Sequence, residues 1–424
     1  MERGQDNEEP KNTPGEIPCS RRRLVACTAL VILAVLLLLH EILVPYRAGL
    51  HLLSSVIKLT GLAALFYVVR LYRPNPLTRK KLRRFYSIKR GYISFVVLLG
   101  LLLISLFGRL LVNDRAIVVK YEGKYYFPTY TAFKSGELFG EDYSYETKYR
   151  ELQQRFRNED ADNWVLIPPV PYDEFENDFR DGVRHPSPPN ISTRHFLGTD
   201  KTGRDILARL FYGFRIAMVF SLVFMFCVYV IGIAIGCAMG YFGGKTDLLG
   251  QRLVEIWSII PFLYMVIITV SLVPPGLGVP TRIALLLVVM VLFSWTSMTY
   301  YMRTATYKEK ARDYTAAARL LGASTSRIIF GHILPNTVST IVTFMPFTVA
   351  SAIISITALD FLGFGLPSPT PSWGELLRQG IGALHAPWIV TSAFFAMVAV
   401  LTLVTFIGEA IREAFDPRKF TVYQ

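Results

Sequence analysis

Eight apolar runs constrain this 424-residue chain more than any other feature. They begin near Leu24, Leu50, Tyr92, Phe211, Leu253, Arg282, Val338 and Trp388. Each approaches the roughly 20 residues that a helix needs to cross the hydrocarbon core of a bilayer. A backbone in lipid must satisfy its own hydrogen bonds, so apolar runs of this length are read as helices. With 52% hydrophobic residues and a mean hydropathy of +0.37, the chain is too apolar for an ordinary soluble domain. It reads as an all-α polytopic inner-membrane protein with about eight transmembrane helices. The second run is the weakest because Lys58 interrupts it, and that lysine reads as snorkelling or paired with a neighbour. The first run follows Arg21, Arg22 and Arg23, as a signal peptide would. It is too long and no small-residue cleavage site follows, so it is expected to be retained.

The net charge of +13 invites a nucleic-acid reading, but its distribution argues for membrane orientation. From Arg70 to Arg90 there are nine Lys/Arg and no acid, in a short loop between two runs, which predicts a cytoplasmic loop. Alternation then puts both termini in the cytoplasm and residues 113–205 outside. It also puts inside a long loop carrying Arg303, Lys308, Lys310, Arg312, Arg319 and Arg327. The expected organisation is a cytoplasmic tail (1–23), two transmembrane helices with the basic loop (24–91), a third span (92–112) and an extracytoplasmic domain (113–205). A core of five spans (206–424) follows, with a cytoplasmic loop over 303–337.

Residues 113–190 hold fifteen acids against ten Lys/Arg and are rich in Tyr, Phe and Pro. Ile117 to Phe127 predicts two short strands around a Glu-Gly-Lys turn, Tyr145 to Arg157 an amphipathic helix, and Trp164 to Pro169 an edge strand stopped by prolines. This is a small α+β insertion. The four cysteines, Cys19, Cys27, Cys227 and Cys237, have no metal-like spacing, and no metal site is expected.

Four polar stretches interrupt the apolar pattern. In residues 314–335, Ala316, Ala317 and Ala318 lead to Gly322, which suits a helix end needing a left-handed residue. Ser324 can cap a second helix, Pro335 is expected to close it, and Arg319 and Arg327 stay solvated. A compact, small-faced element between two long apolar runs is shaped to fit a groove on another protein. Earlier, Gly198, Thr199, Asp200, Gly203, Arg204 and Asp205 predict tight turns and a helix start, running on to Gly213 and Arg215. Phe361, Leu362, Gly363 and Gly365, then Pro371, Trp373 and Gly374, predict a loop that folds back into the membrane beside a span. Gly408 to Arg418 ends the last helix. Asp360 is balanced between a pore lining and simple interfacial exposure. Gly243 to Asp247 imitates the end of a phosphate loop but lacks its first glycine, Met239 standing there, and reads as a cytoplasmic turn.

In this order the four stretches resemble the C-type permease of dipeptide/oligopeptide ABC importers, over roughly residues 195–418. Ala317, Ala318, Gly322, Leu334 and Pro335 match the family's "EAA" loop, although Ala316 stands at the motif's Glu position. The long insertion is more similar to the microcin C/peptide permease subgroup. The resemblance implies a type I ABC importer permease fold. It also implies that Ala316, Ala317, Ala318, Arg319, Gly322, Ser324, Leu334 and Pro335 couple to an ATPase. The implied partners are a second permease, ABC ATPase subunits that bind ATP and Mg, and an extracytoplasmic peptide-binding protein, all in the lipid bilayer and without nucleic acid. No cofactor is expected in this chain and no catalysis. The competing reading is a membrane sensor whose segment 113–205 binds a ligand. It calls for a cytoplasmic output domain, yet fewer than twenty residues follow Phe406.

Overall fold

The computed structural model describes residues 58–63, 66–67, 76–131, 133–159, 162–179, 184–274 and 276–416. The run near Leu24 and most of the run near Leu50 lie outside these residues. Lys58 is described, and its Nζ donates to the Leu106 carbonyl at 3.1 Å, so it is paired.

The basic segment expected as a loop contains a helix, α1 (Pro76–Ser87), joined through Ile88 to α2 (Lys89–Leu106). Phe85 makes the difference: it is buried against Ala410 and Ala414, which gives the segment an apolar anchor. Strands β1 (Val118–Tyr121) and β2 (Lys124–Tyr126) pair antiparallel, with Glu122 and Gly123 both at positive φ, as a tight two-residue hairpin turn requires. Helix α3 (Tyr149–Glu159) begins four residues later than expected. Tyr145 and Glu146 are taken up instead by backbone pairing with Gly136 and Ser135. Strand β3 (Trp164–Leu166) completes a sheet in the order β2-β1-β3, so it is an edge strand as its prolines demand. Val119 and Val165 on the sheet bury against Phe139, Leu152 and Phe156, giving the insertion a core of its own.

The rest is helical. It comprises α4 (Ile206–Phe242), α5 (Gly244–Ile259), α6 (Phe262–Ser271), α7 (Val279–Ser294), α8 (Thr296–Lys310), α9 (Asp313–Leu320), α10 (Thr325–Ile328), α11 (Leu334–Leu362), α12 (Trp373–Ile381) and α13 (Pro387–Phe415). Four helices among the described residues are long and apolar enough to cross a membrane: α2, α4, the continuous stretch Thr325–Leu362 and α13. The count reaches six if the bent pairs α5/α6 (69°) and α7/α8 (44°) are each one span. These coincide with the last six apolar runs. Pro261 accounts for the first bend, because it cannot donate the helical hydrogen bond at that position.

Close helix contact is made by glycine. On α4, Gly232, Gly236 and Gly240 face α8, and a Cβ on Gly236 would lie 2.6 Å from the Thr299 carbonyl oxygen. Small residues one turn apart let two backbones approach, which is how apolar helices gain contact where lipid offers no hydrophobic drive. Gly91 on α2 does the same against Ala410 on α13, where an added Cβ would fall 2.0 Å from that alanine's own.

Two expectations fail locally. Pro335 does not close a helix: a π-type turn, Ile329–Ile333, carries the chain from α10 into α11, and Pro335 sits in the first turn of α11. The wider turn absorbs the ring that a regular helix would clash with. Of Gly243 to Asp247 only Gly243 is a turn; the rest forms the first turn of α5. Asp247 accepts from Arg303 and Tyr307 on α8, which ties the two helices together.

The bundle has two distinct ends. At one, a cavity of about 1030 Å³ brings together Arg90, Lys308, Arg312, Asn336 and Arg412, from the start of α2, the end of α8, the start of α11 and the end of α13. At the other, Lys201 reaches the Gly382 carbonyl at 2.8 Å, and Trp388 donates to the Thr199 carbonyl at 3.3 Å.

Candidate functional site

At that second end the Gly-Thr-Asp stretch and the Pro-Ser-Trp-Gly-Glu stretch converge. Gly198 and Gly203 adopt positive φ, and between them Asp200 turns inward. Its Oδ1 accepts from the backbone of Thr202 and Arg204 at 2.9 and 3.0 Å, and its Oδ2 from Arg204 Nε at 2.9 Å. Arg204 Nη2 continues to Glu375 Oε1 at 3.2 Å. Arg209, fully buried, donates to Glu375 and also to the carbonyls of Glu174, Pro369 and Thr370. Two arginines and two carboxylates thus share one buried hub. Burial opposes the Asp200 charge, but Arg204 and Arg209 outweigh it and hold the carboxyl below its usual range.

Around the hub each stretch is locked. Asp205 caps α4 by accepting from Ala208 N at 2.7 Å, and its other oxygen meets His195 at 2.8 Å. The opposite ring nitrogen of His195 meets Asp178 at 2.9 Å, and the ring stacks on Tyr172 with centroids 4.0 Å apart. Burial disfavours the charged ring, yet bonds to Asp178 and Asp205 prevail and raise its pKa. Thr199 accepts from Ser187 N at 2.8 Å. Gly213 leaves room for Trp373, whose indole donates to the Leu210 carbonyl at 3.0 Å, and Arg215 lies over the Tyr212 ring.

The loop after α11 is organised by Asp360. This residue is not exposed: it is buried, accepting from Leu366 N and from Ser372 Oγ, and it borders a small cavity with Arg282, Glu375 and Arg378. Gly363 ends α11 in the left-handed conformation, and a Cβ on Gly365 would collide with Asp360 Oδ1 at 1.8 Å. Phe361 is partly covered and Leu362 exposed, whereas Pro371, Trp373 and Gly374 are buried. Ser372 then caps α12 through Glu375 N.

At the first end, α9 and α10 form a compact hook. α9 closes with a paired motif: Ala323 N donates to the Ala318 carbonyl and Gly322 N to the Arg319 carbonyl, both at 3.0 Å, with Gly322 at φ +78°. Ser324 caps α10 by accepting from Arg327 N. Ala318 packs with Tyr241, Ile328 and Ile333, which holds the hook against the end of α4. Arg319 and Lys310 lie over the Tyr241 ring. Ala316, Ala317, Arg319 and Gly322 face outward, while Leu334 and Pro335 stand at the base. Leu320 and Leu321 are 89% and 88% exposed at the tip. Between the two ends, a cavity of about 410 Å³ is lined by aromatic rings and by the hydroxyls of Tyr229, Ser297, Tyr301, Thr348 and Ser355.

Sequence reasoning missed Glu375 and Arg209, the centre of the hub, and the His195–Asp178 pair. An arginine in the first turn of the longest apolar run was the available signal for Arg209. Among the described residues no cluster of His, Cys, Asp and Glu could hold a metal ion.

A bundle of membrane helices with a rigid polar hub at one end and an exposed hook at the other defines a multi-pass membrane component built to work with other chains. Residues 232–421 match the family described as binding-protein-dependent transport system inner membrane component. The inner membrane ABC transporter permease protein YejE of Escherichia coli (strain K12) is 40% identical over 349 residues, 82% of this chain and 99% of that one. The peptidoglycan transport system permease protein YejE of Agrobacterium fabrum (strain C58) is 36% identical, over 81% and 94%. The oligopeptide transport system permease protein OppC of Haemophilus influenzae is 33% identical, over 54% and 72%. The chain belongs to this family of inner membrane transport components. It is a permease component of the membrane and not an enzyme, and the sensor reading finds no support among these relatives.

Proposed function

We propose that the chain is the transmembrane permease subunit of an ATP-driven importer for peptides or peptide-like molecules. The observation that carries this reading is the hook. Two leucines almost wholly exposed on a structured element beyond the end of the spans suit a hydrophobic socket on a partner. In this account Ala316, Ala317 and Ala318 keep the hook slim, Gly322 and Ser324 set its turn, and Leu334 and Pro335 join it to α11. Arg319 braces it on Tyr241. The partner is an ABC ATPase that binds ATP and Mg, and its closure pushes the hook. The bundle then moves between outward- and inward-open states, each favoured by different partner contacts.

Orientation follows from charge. Arg90, Lys308, Arg312 and Arg412 gather at the hook end beside Glu309, Glu409, Glu413 and Asp416. Because orientation follows Lys and Arg rather than net charge, they favour a cytoplasmic position for that end and for both termini. The insertion over 113–205 and the hub then face outward, where Gly198 to Arg215 and Phe361 to Gly374 form a rigid platform for an extracytoplasmic peptide-binding protein. The runs near Leu24 and Leu50 would complete eight spans. The hydroxyl-lined cavity supports a path for cargo rich in amides, shared with a second permease.

The test is purification of the tagged chain from its native membrane, with mass spectrometry of what accompanies it. A second permease and an ATPase are the expected companions. Recovery alone, or with signalling kinases, would overturn the reading.

A further inference from the structure

Beyond setting orientation, the charges of α1 have no part in the transport reading. This helix carries Arg79, Lys80, Lys81, Arg83 and Arg84 and no acid. One face is tied down: Phe85 is buried on Ala410 and Ala414, and Lys81 Nζ lies 4.8 Å from the Phe415 ring centroid. Arg79 and Arg83, one turn apart, lie with Lys80 on the opposite face. All three are exposed, and no acidic side chain pairs with them among the described residues. Nearby Arg90, by contrast, has Glu409 at 3.6 Å. Where α1 meets the apolar helix α2, Tyr86 and Tyr92 pack edge to face at 5.3 Å, both exposed. Tyrosines of this kind prefer the headgroup level of a bilayer.

Three adjacent cations repel one another unless anions lie close. At the point where an apolar helix enters lipid, the fixed anions available are phospholipid phosphates. We infer that the exposed face of α1 is a docking surface for anionic phospholipid headgroups, held by Arg79, Lys80 and Arg83 and flanked by Tyr86 and Tyr92. Through Phe85 the bound lipid would also pin the end of α13, and hence the floor of the cavity at the hook end. The inference rests on the membrane-spanning reading of α2 and not on the cargo, so it stands or falls separately from transport.

Native mass spectrometry of the detergent-solubilised full chain, titrated with phosphatidylglycerol and with phosphatidylcholine, tests it. The variant Arg79→Gln/Lys80→Gln/Arg83→Gln should bind phosphatidylglycerol about a hundredfold more weakly. Its weak binding of phosphatidylcholine should not change. The charge-matched control Lys245→Gln/Arg252→Gln/Arg327→Gln should bind like the parent. Equal binding by the first variant, or equal loss in the control, would overturn the proposal. So would displacement of the lipid by inorganic phosphate, which would point to a free anion instead. If the variant does not insert, salt dependence of the unaltered chain decides: affinity should fall steeply with added salt, and salt-independent binding would refute the surface.

Discussion

Glu375 receives both Arg204 and Arg209, and both arginines are buried. Removing one member of a buried ion cluster strands the rest, which costs far more than the cluster itself contributes. Glu375→Gln should therefore lower stability by about 3 kcal/mol. Thermal unfolding of the purified protein checks this, and an unchanged midpoint would mean the hub is not closed as described. Titration belongs to this scale too. Asp114, crowded by burial and by Asp173, Glu176 and Glu146, has its pKa pushed up to about 7. Its folded value exceeds its ordinary value of 3.8, so the folded state binds the proton more tightly. The stabilisation is complete below the ordinary value and disappears as pH rises through about 7. The raised pKa of His195 has the same sign. Unfolding followed across this range should show stability falling with pH, and Asp114→Asn should flatten the fall; an unaltered slope in that variant would exclude Asp114 as its source.

Among the elements, the α4–α8 contact is the most sensitive to volume. Gly236→Val would drive side-chain atoms into the Thr299 carbonyl and separate the helices, at about 1–3 kcal/mol. Gly100→Val on α2, where a Cβ meets open space, should cost little. Comparable losses in both would argue against close packing as the cause. Element existence was largely legible in the chain itself: of the eight apolar runs, six coincide with the four span-length helices and the two bent pairs, the Glu-Gly turn marked the hairpin, and Gly322 with Ser324 marked the hook. The breaks were not, because a single Pro261 or a π-type turn before Pro335 changes geometry without changing apolar length. Nor was the hub. Glu375 meets its arginines across 166 and 171 residues of chain, and only the folded bundle supplies that proximity.

For the whole molecule, the arrangement separates duties between its ends. The hub end is locked by the buried ion cluster, by caps at Asp205 and Ser372 and by the stacked His195. The hook at the other end is held through Ala318, Ile328 and Ile333 and leaves Leu320 and Leu321 uncovered. Long helices join the two, and α11 runs unbroken from the base of the hook to the loop at Asp360, so under the proposed coupling a push on the hook would travel along it. Gly322 has no neighbour within 4 Å of an added Cβ but needs positive φ, so substitution there alters the hook without disturbing the bundle.

The most direct measurement compares ATPase capture by the tagged chain with capture by Leu320→Asp/Leu321→Asp and by Gly322→Arg, all recovered from membranes at equal yield. The account predicts that the parent brings down an ATPase and that both variants lose it while remaining inserted. Undiminished capture by both variants would contradict the assignment of this hook as the coupling element.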